Sequence, residues 1–203
     1  MFRKFIVAIL LSPIFLYGST LDDQKYQIDT PHAFVNFTIS HFVTGKARGS
    51  FKDVSGNILF DEKDVTKSLV EVVIKTASIN TNHEGRDTHL RSADFFDVVK
   101  YPEMTFKSKR IEKKGDGFVA VGDMTLHGVT KEIAMPFTFT SPSKDPLPAG
   151  DKRILVEANL KIDRRDFGLT WSRVMEGGGL FVGNEVDISI NVEAFIPKQK
   201  PSN

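Results

Sequence analysis

Thr76 to Ser108, TASINTNHEGRDTHLRSADFFDVVKYPEMTFKS, is the one stretch of this chain in which a helix has to form. On either side of it apolar residues recur at every second position, the period of a strand with one buried face. Thr81 and Glu84 stand in the T-x-x-E spacing of a capping box, in which the hydroxyl accepts the N–H three residues on and the glutamate bonds back to the N-cap N–H. The spacing predicts a helix starting at Thr81 or Asn82, within a helical insertion over residues 82–97. Asp87 and Arg91 lie four apart, acid before base, and are expected to pair along its surface. Gly85 costs such a helix about 1 kcal/mol relative to alanine, and two or three turns are marginal alone. Leu90, Phe95 and Phe96 must therefore anchor it by packing. Lys100-Tyr101-Pro102 ends the turn, because the residue before a proline is pushed into extended geometry, and Glu103 to Lys109 resumes a strand. The element reads as a lid laid across the end of a sheet.

Upstream of the lid, Val35, Phe37 and Ile39 share one face of a strand and His41 continues the inward parity. Thr44 to Ser50, rich in glycine and charge, reads as a loop or irregular edge. Phe51 opens a second strand region that carries Ile58 and Phe60, Asp61 to Asp64 is a polar turn, and Val70, Val72 and Ile74 oppose Glu71 and Lys75. Downstream, Met104 and Phe106 alternate with Thr105 and Lys107, and Gly115-Asp116-Gly117 has the glycines of a hairpin turn. Phe118, Ala120, Gly122, Met124 and Leu126 share one parity up to a turn at His127-Gly128. Ile133, Met135, Phe137 and Phe139 follow, then a proline-bearing surface loop from Ser141 to Gly150. Ala158, Leu160 and Ile162 share a face, Gly177-Gly178-Gly179 breaks the chain, and Val186 to Val192 is the last strand before Pro197.

About eight strands at hairpin spacing, without βαβ alternation, describe an all-β fold with an antiparallel sheet. Closure into an eight-stranded barrel removes the edges and gives an interior that either fills with side chains or holds one small ligand. Residues 22–197 form this single domain, and 198–203 are a C-terminal tail.

The 203 residues carry a formal net charge of +1, with 40% hydrophobic and 26% charged side chains. That is one ordinary domain without the basic footprint of a nucleic-acid binder. The absence of cysteine excludes disulfides, thiolate metal sites and a lipid-modified N-terminus. Residues 1–20 have the layout of a secretory signal peptide: Arg3 and Lys4, an apolar run from Phe5 to Tyr17, then Gly18, Ser19 and Thr20. The run is shorter than the roughly 20 residues of a spanning helix. Export from the cytoplasm and cleavage near residues 18–20 are expected.

The 17 phenylalanines either fill the core or line a long apolar cavity, and alternation alone does not separate the two. The inward and lid positions that would meet a ligand are Val35, Phe37, Ile39, His41, Phe51, Ile74, Leu90, Phe95, Phe96, Met104, Phe106, Leu126, Phe137, Leu160, Ile162 and Trp171. His83-Glu84-x-x-Asp87 approaches the HExxH zinc motif but has aspartate at the second ligand position, with Arg86 beside it to repel a cation. No metal site, catalytic triad, phosphate loop or dinucleotide fingerprint is expected. His32 and His127 read as strand-end residues beside turns. Arg86, Asp87, Arg91, Asp94 and Asp97, with Asp163, Arg164, Arg165 and Asp166, form two patches of mixed charge. Arginine–carboxylate pairs between them would fix the insert against the Asp163 to Trp171 segment; alternatively, one arginine reaches a ligand head group.

The run Arg86-Asp87-x-His89-Leu90-Arg91-Ser92-x-Asp94-Phe95-Phe96-Asp97, followed by Lys100-Tyr101-Pro102-x-Met104-Thr105-Phe106, resembles the YceI-like family of bacterial periplasmic lipid-binding proteins. Val35-x-Phe37-x-Ile39-x-His41, Gly122 to Thr130 and Ile162 to Trp171 agree with it in the same order. The resemblance implies a lipocalin-like barrel around a polyisoprenoid or similar amphiphile. It also implies a periplasmic, non-enzymatic carrier with no cofactor beyond a bound polyisoprenoid or quinone-like lipid. A homodimer and transient membrane contact are further expectations. Two other readings stay open at this level: a quinone-linked redox accessory protein, and a filled barrel that serves as an interaction module.

Overall fold

The computed structural model describes residues 25–42, 44–144, 152–174, 176 and 178–197. The expected signal peptide, the C-terminal tail and most of the proline-bearing loop lie outside the described residues. Alternating apolar positions produce ten strand segments in one antiparallel sheet: β1 (Lys25–His41), β2 (Gly45–Phe51), β3 (Val54–Leu59), β4 (Leu69–Lys75), β5 (Ile79–Asn80), β6 (Glu103–Lys114), β7 (Gly117–Leu126), β8 (Val129–Lys144), β9 (Lys152–Asp163) and β10 (Val182–Phe195). β2 and β3 are successive halves of one strand, since β1 pairs with β2 at Val35–His41 and with β3 at Lys25–Gln27. β4 and β5 are likewise halves separated by a 3₁₀ turn at Thr76–Ser78, and pair with β3 and β2. Each following strand pairs with its predecessor, and β10 pairs back onto β1. The result is a closed barrel of eight strands with one short helix, α1 (Glu84–Arg91).

Several expectations are corrected. Thr44 to Ser50 is not a loop: Gly45 to Phe51 is a paired strand along β1. Its glycine content has a packing reason, because a Cβ at Gly49 would sit 2.5 Å from the Phe37 ring. β8 runs on to Lys144, with Ser143 and Lys144 still paired to β9, so the loop begins later than Ser141. His32 is not at a strand end but within β1, at the register shift against β10, where its ring meets the Asp29 carboxylate at 3.0 Å. His127-Gly128 does turn the chain, with φ of 51° and 77° as a two-residue hairpin of this hand requires.

The helix also differs from its sequence reading. Its N-cap is His83, whose Nδ1 accepts the Arg86 N–H at 3.1 Å. Asn82 takes a left-handed φ of 58°, which delays the helix and turns Thr81 away from the capping position. Thr81 instead donates its N–H, at 2.9 Å, and its hydroxyl to the buried Asp87 carboxylate. Asp87 is therefore not available to Arg91, which donates to the carbonyls of Ala77 and Ile79 at 2.9 and 2.7 Å. These bonds tie α1 to β5.

The interior divides by height. Residues of β1, β2, β3 and β10 pack with Ile79, Met104, Leu126, Phe167 and Leu169 towards the helical end. Tyr26, Ile58, Phe60, Ile154 and Ala194 close the opposite end, beside a 3₁₀ turn at Val65–Lys67. Tyr26 and Ala194 are completely buried there.

Candidate functional site

The barrel is hollow. A cavity of about 330 Å³ runs along it, from Phe60, Val65, Phe139 and Ile154 at the closed end to His41, Trp171, Phe181 and Val182 at the helical end. Its volume lies within the roughly 300–1,000 Å³ of ligand pockets. Nine of the 17 phenylalanines, Phe37, Phe51, Phe60, Phe95, Phe96, Phe106, Phe137, Phe139 and Phe181, line it, so these rings act as wall rather than fill.

All sixteen candidate ligand positions are brought to this one wall. Strand parity places Val35, Phe37, Ile39, His41, Phe51, Ile74, Met104, Phe106, Leu126, Phe137, Leu160 and Ile162 inward. The lid contributes Leu90, Phe95 and Phe96, and Phe96 stands edge-on to Phe51 at 5.6 Å. Sequence reasoning passed over other lining residues that share the same parity, such as Ile133, Met135, Val156, Ile188 and Ile190. Their alternation was the available signal. Phe181 had none, since it lies outside any strand, just before β10.

Aromatic rings surround the helical end. Trp171 packs against Phe95 at 4.9 Å, His89 at 5.1 Å and Phe181 at 6.1 Å. Phe181 in turn meets His41 at 5.0 Å and Phe42 at 4.4 Å. The backbone follows the same path, with Phe42 N–H donating to Phe181 O at 3.1 Å and Phe181 N–H to Arg173 O at 2.8 Å. Among the described residues the insert is thus held against the Asp163 to Trp171 segment by edge-on and tilted ring contacts and not, as the charge patches suggested, by arginine–carboxylate pairs. Around this end Phe42 is 50% exposed, Leu180 37% and Val174 69%.

Arg86 and Arg164 serve neutral oxygens instead. Arg86 donates to the hydroxyl and carbonyl of Thr81 at 2.7 and 2.8 Å. Arg164 donates to Gly183 O at 2.7 Å, to Leu169 O and to Asn184 Oδ1. Burial pushes its guanidinium below the usual arginine range, against the pull of Asp163. Asp163 is held down to about 2 by the fork of Arg165, and Asp166 pairs with Lys131 at 3.1 Å. Both Arg86 and Arg164 reach the cavity wall.

A family model described as the YceI-like domain matches residues 26–194. Protein YceI of Escherichia coli O17:K52:H18 is 40% identical over 198 residues, covering 97% of this chain and 100% of that protein. The crystal structure of the Campylobacter jejuni YCEI protein superposes with a TM-score of 0.66 at 33% identity, covering 79% of this chain and 91% of the other. A polyisoprenoid-binding domain from Saccharophagus degradans, 20% identical, has the same fold with a TM-score of 0.64 over 85% of this chain and 98% of its own.

Proposed function

The chain belongs to the YceI-like family, and from that membership we propose that it binds, stores or carries a long-chain apolar or amphiphilic lipid within its barrel. The ligand class is polyisoprenoid or isoprenoid quinone, a reading supported by the architecture shared with the polyisoprenoid-binding domain of S. degradans. The observation that carries the proposal is the continuous apolar cavity, walled by phenylalanine and branched aliphatic side chains from end to end. Each methylene buried in such a tunnel contributes about 0.8 kcal/mol before the costs of binding, so a long chain is held with few polar contacts. Function is binding, with the cargo left chemically unchanged.

The proposed location is the periplasm, supported by the signal-peptide layout of residues 1–20. Cargo exchange at a membrane is part of the reading, and the exposed Phe42, Val174 and Leu180 beside the cavity's helical end favour it. A homodimer is proposed on the family resemblance alone.

Native mass spectrometry of the mature protein, purified from periplasm without detergent, tests the reading. We expect a discrete added mass that is lipid-like and released intact on denaturation. Bare protein that takes up nothing from a total lipid extract overturns it.

A further inference from the structure

We propose that the lid over the cavity is a pH-sensitive latch, in which protonation of His83 uncaps α1 and speeds release of the cargo. The inference rests on the carrier reading and adds a regulation of the same site.

The chemistry of the cap fixes the state of His83. A backbone N–H can only donate, so the Nδ1 that meets Arg86 N–H at 3.1 Å carries a lone pair, and the imidazole proton sits on Nε2. Serine, threonine, asparagine and aspartate are the preferred N-caps, and their oxygens accept throughout the physiological range. A histidine accepts only while neutral, and its charge ordinarily changes between about pH 5 and 8. Once protonated, Nδ1 is a donor facing another donor, and a full positive charge stands at the positive end of the helix dipole. Both effects favour a frayed first turn.

The surroundings leave this bond to His83. Asn82, at its left-handed φ of 58°, donates its N–H to Asn80 Oδ1 at 2.9 Å, which sets His83 at the helix start. A Cβ at Gly85 would lie 3.4 Å from the ring's Cε1, so the imidazole lies against the first turn. The charged groups of that turn are Glu84, which is exposed, and Arg86 and Asp87, which are both turned to Thr81. β5, against which α1 packs, carries only Ile79 and Asn80. Among the described residues no ion pair or ring of another element meets the His83 imidazole. His89, in the last turn, acts in the opposite sense, since its protonation suits the negative end of the dipole and the Asp94 carboxylate at 3.0 Å. That pair is exposed and already hydrogen-bonded when neutral, so its gain is small and the loss at His83 sets the sign. An eight-residue helix is marginal, and α1 puts Arg86, His89 and Leu90 on the cavity wall, so fraying uncovers the interior. The latch opens as pH falls through the histidine range and closes as it rises.

Trp171, the single tryptophan, lies on the cavity wall and reports farnesol binding through its fluorescence. Farnesol has no group that titrates in this range, so a pH dependence belongs to the protein. Farnesol-loaded protein is mixed with excess phosphatidylcholine vesicles in a stopped flow, and release is followed at about pH 7.5 and about pH 5.5. Release is expected to be about fivefold faster at the lower pH. The difference should shrink to about twofold or less in His83→Asn, whose amide oxygen caps at both pH values, and should persist in His89→Gln. Equal wild-type rates, or an undiminished difference in His83→Asn, overturn the latch and leave the carrier reading standing. Should His83→Asn fail to fold by circular dichroism, His83→Ser takes its place. Failure of farnesol to bind at either pH overturns the carrier reading itself, and the cap is then judged in lipid-free protein. Imidazole nitrogen NMR shifts should give His83 as the Nε2–H form at the higher pH, and amide exchange in α1, corrected for intrinsic rate, should speed up at the lower. An Nδ1–H form or unchanged protection overturns the inference.

Discussion

Tyr26 shows how much one side chain contributes at the closed end of the barrel. It is completely buried, stands edge-on to Phe60 at 5.9 Å, and points its hydroxyl at Glu62 Oε1, 3.4 Å away. Burial, and then the charge and hydrogen bond of Glu62, push its pKa from 10.0 up to about 12. The raised value means that the folded protein holds the phenolic proton after the unfolded chain has lost it. The associated stability is complete below pH 10 and is lost as pH rises through about 12, a difference of roughly 2–3 kcal/mol. Exposed lysines such as Lys75 and Lys107 weaken in the same range, so the comparison must be with a variant. Denaturant titrations should show a shallower alkaline loss of stability in Tyr26→Phe than in the wild type; parallel curves would refute the assignment. The inward parity of Tyr26 was legible from its alternation with Lys25 and Gln27. Its partnership with Glu62 was not, because the two meet only when β1 and the turn after β3 are brought together.

Among the elements, the insert around α1 decides access to the cavity. Eight residues of helix cannot persist alone, and this one is clasped at its start by Thr81 and Asp87 and at its end by Phe95 against Trp171. Phe95→Ala removes the ring between His89 and Trp171 while leaving the Asp87 clasp in place. Release of bound lipid, followed by stopped-flow displacement, should then accelerate by roughly tenfold, equivalent to about 1.4 kcal/mol. An unchanged off-rate in a folded variant would show that the insert does not control exit. The sequence announced the element and its anchors through Leu90, Phe95, Phe96 and Pro102. It misdirected on the cap, because T-x-x-E is a local signal and Asp87 competes for Thr81 from one turn further along. It misdirected on the arginines for a related reason: guanidinium donors were assigned to carboxylates when the carbonyls of Ala77, Ile79 and Gly183 lay closer in the fold.

On the scale of the whole molecule, the property that matters is the uninterrupted length of the interior. Phe37 is half-buried between Phe51 and the space that Gly49 leaves for its ring. Phe37→Trp should narrow the cavity near the lid and weaken the longest chains first, measured as a loss of affinity that grows along a homologous series of prenols. A uniform loss of stability without change in chain-length preference would show that the site is packed core. From sequence alone came the all-β class, the eight-stranded closure and the inward set from Val35 to Ile162, because the pleat turns alternate residues to opposite faces whatever lies across the barrel. Tertiary structure decided that the barrel is hollow, that His89, Phe95, Trp171 and Phe181 share one rim, and that Arg86 and Arg164 donate to neutral oxygens there. Those outcomes depend on which distant segments meet when β10 closes onto β1, and on how much volume their side chains leave between them. No local pattern of residues encodes either quantity.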